Sequence, residues 1–84
     1  MKTLVELGYG VADRRKRLGL KQALVAERAG IPQESLSRFE RGRLSEFGSR
    51  KLLAVLAVLG LEISFTETGV SGTLDELRRE RGGA

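Results

Sequence analysis

Glycines at positions 19, 30, 42 and 60 divide the first 60 residues into short segments, and each follows a stretch in which apolar residues recur at helical spacing. Glycine just past the last periodic residue is a helix stop signal, so the chain reads as a bundle of short helices. In the first segment Leu4, Leu7, Val11 and Leu18 form the apolar stripe. Arg14, Arg15, Lys16 and Arg17 crowd its C-terminal half, where the helix dipole favours cations. This predicts a helix over Leu4–Leu18 capped by Gly19, with Gly8 and Gly10 lowering helix propensity in its first turns.

A second helix is predicted over Gln22–Ala29, with Val25 and Ala29 inward and Ala26 small enough for close helix approach. Pro32 lacks an amide hydrogen and suits the first turn of a third helix, from Pro32 or Gln33 to Arg41. There Leu36 and Phe39, with Ser35 beside them, face the core. Gln33, Glu34, Ser37, Arg38 and Arg41 fall on other faces. Arg43–Gly48 reads as a loop leading to Ser49 as N-cap of a fourth helix, Arg50–Leu59. Eight consecutive apolar residues begin at Leu52. That is too apolar for a helix with a solvated face, so part of it belongs to the core and part, including Leu56 and Leu59, is expected against a second chain.

After Gly60 the period changes. Leu61, Ile63 and Phe65 alternate with Glu62, Ser64 and Thr66, the pattern of a half-buried strand. The sequence holds no second strand, and a strand needs a partner. The economical partner is the same strand of a second copy, in an antiparallel ribbon about a two-fold axis. Leu56, Leu59, Leu61, Ile63 and Phe65 are therefore the expected dimerisation residues. Residues 1–66 form the expected domain, and 67–84 a polar tail in which Thr73-Leu74-Asp75-Glu76 resembles a capping box opening a short helix to about Arg81.

Composition narrows the function. With no cysteine or histidine among 84 residues, disulfides and thiolate metal sites are excluded and the commonest metal ligand and acid–base catalyst is missing. Carboxylate pairs such as Glu40 with Glu46, or Asp75 with Glu76, lack a core large enough to desolvate them, and no enzyme or cofactor is expected. No segment resembles a membrane span or a signal peptide, so a cytoplasmic, nucleoid-associated location is expected. The net charge is +4, but residues 1–60 carry 12 basic and 6 acidic side chains and residues 61–84 carry 3 and 5. A basic field over the first two thirds suits a polyanion.

Two short helices joined by a glycine-containing turn, the second of them polar, form a helix-turn-helix arrangement. Arg15, Leu18-Gly19-Leu20-Lys21-Gln22, Val25-Ala26, Ala29-Gly30-Ile31 and Leu36-Ser37-Arg38-Phe39-Glu40-Arg41-Gly42 together resemble the Xre, or Cro/C1, family of repressors over Leu7 to Leu59. The whole then has the expected architecture of a mainly α, lambda-repressor-like bundle of about four helices with one C-terminal strand paired across a homodimer. That strand and the length resemble the HipB-like branch of antitoxin repressors. Lys21 and Pro32 depart from the family, which often has hydroxyl residues there.

The resemblance implies that the third helix enters the major groove of double-stranded DNA. Gln33, Glu34, Ser37 and Arg38 would then read base edges, glutamine suiting adenine, arginine guanine and glutamate the cytosine amino group. Without the motif these residues read as the solvated face of an amphipathic helix, Glu34 above all. Gln22 resembles the family glutamine that contacts a phosphate and braces the third helix, and Lys21, Arg41 and Arg43 flank the same surface. Arg15 and Glu40 occupy the positions of an ion pair that orients the recognition helix. The resemblance also implies a repressor autoregulating a toxin–antitoxin operon, with a HipA-like toxin kinase as partner. The competing reading is an interaction module whose main act is restraining that kinase, docked through the acidic tail.

Overall fold

Thr3 opens the first helix. Its hydroxyl accepts the amide hydrogen of Glu6 at 3.1 Å, and the Glu6 carboxylate accepts the N–H of Lys2 at 3.0 Å. This is a near relative of the capping box, and Thr3-Leu4-Val5-Glu6 is its sequence signature. In the computed structural model, which describes residues 1–69, helix α1 spans Leu4–Arg17, α2 Gln22–Ala29, α3 Gln33–Glu40 and α4 Ser49–Val58. None of these helices is long and apolar enough to cross a membrane. The tail helix expected from Thr73 lies outside the described residues.

The four glycine stops work by one device. Gly19, Gly30, Gly42 and Gly60 all have φ between 69° and 71°, the left-handed region that costs glycine least. Just past each, an amide reaches back to the last turn: Leu20 to the Arg15 carbonyl, Ile31 to Ala26, Arg43 to Arg38 and Leu61 to Leu56. These are Schellman closures. Arg14 supports the last from outside, its Nε donating to the Leu59 carbonyl at 3.1 Å.

The core is built from Val11, Val25, Ala26, Ile31, Leu36, Phe39, Val55, Leu56 and Leu59, with Leu4, Leu7, Leu20 and Phe47 half-buried against it. Ile31, in the turn between α2 and α3, is a core residue. The α3–α4 connection is pinned by Phe47, whose ring stacks on Phe39 with centroids 4.1 Å apart. Leu18 lies past the end of α1, where the turn carries it out of the apolar stripe, and it is exposed. Pro32 and Gly48 occupy the N-cap positions, so Ser49 is the first residue of α4 and caps nothing.

Leu56 and Leu59 correct the expectation of a dimer contact on those residues. Both are buried in the chain's own core with Val55, Leu56 on α4, which packs against α2, and Leu59 at its C-cap; Leu53 is the large apolar residue that α4 exposes, at 52%. Beyond α4, Leu61, Ile63 and Phe65 are exposed, Phe65 at 99%. No strand occurs among the described residues, where Leu61–Phe65 has no neighbouring segment with which to form a ladder.

Gly8 explains how α1 and α3 come together. A Cβ at this position would stand 2.0 Å from the Phe39 carbonyl oxygen and 2.9 Å from its carbon, so only a bare backbone permits the crossing. At Gly10 the same test meets only the terminal atoms of the Met1 side chain, which can swing aside. Gly8→Ala should therefore destabilise the fold by about 1–3 kcal/mol despite better helix propensity. Gly10→Ala should be neutral or stabilising by up to about 1 kcal/mol. Urea unfolding of both variants checks this, and equal midpoints would refute the close crossing.

Candidate nucleic-acid interface

Helix α3 is two-faced. Leu36, Phe39 and Glu40 are buried against the body, while Gln33, Glu34, Arg38 and Arg41 are exposed and Ser37 is half-buried at their edge. Residues four apart stack in rows on a helix, so Gln33, Ser37 and Arg41 form one row and Glu34 and Arg38 the next. The structure thus brings the four base-reading candidates onto one surface with Arg41. Two contacts lie within it. Arg38 Nη2 donates to Glu34 Oε1 at 2.7 Å, and Arg41 Nε donates to the Ser37 carbonyl at 3.3 Å.

Lys21 and Arg43 are also exposed, Lys21 at the N-cap of α2 and Arg43 just beyond α3. Neither α2 nor α3 has a side-chain cap hydrogen bond, Lys21 and Pro32 standing at the two cap positions. The departures from the family pattern thus remove the side-chain caps and leave both helices in place.

Behind this face lies a polar cluster that fixes it. Arg15 meets Glu40 in bidentate fashion, Nε to Oε2 and Nη2 to Oε1, both at 2.8 Å, and its Nη1 donates to the Leu20 carbonyl at 2.8 Å. Gln22 Nε2 donates to Glu40 Oε1 at 3.0 Å. The two charged side chains are only 11% and 3% exposed. One carboxylate at the end of α3 therefore holds α1 and the start of α2. Among the described residues no buried side-chain nitrogen or oxygen is without a partner. The spacing of the motif implied the Arg15–Glu40 pair, whereas the Gln22 and Leu20 contacts become visible only in three dimensions. Gln22 does brace α3, by way of Glu40, and its second amide hydrogen and its oxygen remain for other partners.

The hydrogen bonds that Arg15 donates to Glu40 raise its pKa, burial opposes them, and the Coulombic attraction of Glu40 adds to the rise. A cation whose folded value is raised contributes stability that is complete below its unfolded value and fades only as pH climbs through the folded one. For an arginine that window lies far above neutral, so the guanidinium is a constant charge at working pH.

Such a pair adds little net stability, but its halves are costly alone. Glu40→Ala leaves a guanidinium buried without its anion and should cost about 3–5 kcal/mol, with loss of DNA affinity although Glu40 does not lie on the outer face. Arg15→Met combined with Glu40→Leu should lose less stability than either single change. Chemical denaturation of the three variants tests this, and additive losses would contradict the brace.

The helix-turn-helix family profile matches residues 11–65, from the middle of α1 through the alternating segment after α4. No curated protein and no solved structure matches the chain. The matched span contains α2, α3, the brace and the exposed face, and it covers well over half of the chain. The protein belongs to the Cro/C1-type helix-turn-helix family of DNA-binding transcriptional regulators.

Proposed function

We propose that the protein is a homodimeric, sequence-specific repressor that binds a palindromic operator. The observation that carries this reading is α3 itself. Its outer surface offers Gln33, Ser37 and Arg38 to base edges, while the opposite surface is locked by Glu40 to Arg15 and Gln22. Lys21, Gln22, Arg41 and Arg43 are the phosphate contacts in this reading, positioning α3 without reading sequence.

Geometry and surface support dimerisation. One helix-turn-helix unit reads a short half-site, and a palindrome needs two recognition helices about 34 Å apart. Leu53 of α4 is exposed, and so are Leu61, Ile63 and Phe65 after it. These replace the Leu56 and Leu59 contact. The segment Leu61–Phe65 would pair with its copy and lay its apolar side chains on the two α4 helices. The HipB-like branch, with autoregulation of a toxin–antitoxin operon and a HipA-like kinase as partner, is the finer form of this proposal. It rests on the alternating segment after Gly60.

Two measurements test the proposal. If each subunit neutralises about three phosphates, log affinity should fall against log salt with a slope near minus 5, and a slope near zero would remove DNA from the account. Ile63→Arg puts a charge into the apolar ribbon. It should yield monomers and weaken operator binding on the order of 100-fold or more, because the second half-site loses its effective concentration. Sedimentation and gel shift on one preparation report both; a dimeric, fully binding variant would place the dimer contact elsewhere.

A further inference from the structure

Glu34 is the one acidic residue on the outer face of α3, in the basic first two thirds of the chain. Alone, a carboxylate there would face the phosphates it must approach. It is not alone: Arg38, one turn on, donates Nη2 to Glu34 Oε1 at 2.7 Å. The pair is well exposed, at 54% and 72% for the two side chains, and such pairs add almost nothing to stability. Its consequence is therefore sought in what the two groups do together on the surface.

We propose that Glu34 is a positioning residue that holds the Arg38 guanidinium for a guanine and reads no base itself. This rests on α3 being the recognition helix. Three features carry it. The order is the favourable one, glutamate four residues before its cation and in the first turn of the helix, where the dipole also favours its charge. The contact takes one of five guanidinium N–H donors and leaves four, enough for a bidentate contact to guanine O6 and N7. A guanidinium already held in the bound arrangement loses less freedom when it docks. Neutralised by Arg38, the carboxylate can also enter the groove without full repulsion from the backbone.

Selection of bound duplexes from a randomised pool, on the full-length chain, tests the assignment. The parent should select guanine at one position per half-site, and Arg38→Ala should abolish that preference. Glu34→Ala should reduce it about twofold, the worth of an exposed i,i+4 pair, at the same position and nowhere else, and the double variant should lose nothing beyond Arg38→Ala. Binding of Glu34→Ala to DNA lacking the site should be unchanged or tighter, since a negative charge has left the face, and its thermal midpoint should match the parent's. Loss of a cytosine preference at a different position would make Glu34 a base reader and overturn the proposal. Unchanged selectivity in Glu34→Ala would overturn it as well. A parent that enriches no sequence would instead sink the reading of α3 on which it stands.

Discussion

The fold's functional surface depends on the Arg15–Glu40 contact more than on any other. Helix α3 is only two turns long, from Gln33 to Glu40, and a helix of that length has little stability of its own. Its orientation must come from outside. Leu36 and Phe39 supply the attraction, but apolar burial is non-directional and tolerates rotation about the helix axis. A bidentate guanidinium–carboxylate contact does not, because two parallel bonds fix position and angle together. With Gln22 on the same carboxylate, three helices share one reference point.

The close crossing at Gly8 works with the brace. With the backbone of α1 against the Phe39 carbonyl, the end of α3 is held within reach of Arg15, and the guanidinium meets Glu40 without stretching. Arg14, next to Arg15, ties α1 to the end of α4 through the Leu59 carbonyl. One helix thus clamps both α3 and the end of α4. In a chain whose single core is small, such directional contacts define the native arrangement and hydrophobic burial drives collapse toward it.

What the sequence made legible was mostly what is local. The four helices stand within a residue or so of their predicted bounds, because glycine stops and apolar spacing act over a few residues. The polar face of α3 was legible for the same reason. Three features were not. The role of Gly8 depends on Phe39, far along the chain, and in isolation the glycine reads as a weak helix former. Phe47, in a segment read as a loop, gains its place only because Phe39 offers a ring to stack on. The division of α4 was misjudged since an almost uniformly apolar helix carries no stripe to say which side faces inward. Packing against α2 settles it, taking Val55 and Leu56 and leaving Leu53 outside.

Helix α3 carries two glutamates, each bonded to an arginine, and the contrast between them shows how dielectric environment separates structure from recognition. Glu40 is buried, so its charge has no water to return to, and separating it from Arg15 costs a desolvation penalty that holds the contact shut. Glu34 sits in solvent, where water competes for both groups at nearly equal free energy and the contact to Arg38 is worth about 0.3–0.5 kcal/mol. The first pair is therefore permanent and carries no information about a ligand. The second is weak enough to be remade by whatever approaches, yet biased enough to set where Arg38 waits. In the recognition role proposed for α3 both properties would be needed at once, a rigid back and an adjustable front, and two i,i+6 glutamates on an eight-residue helix, one rotated into the body and one out of it, are suited to supply them.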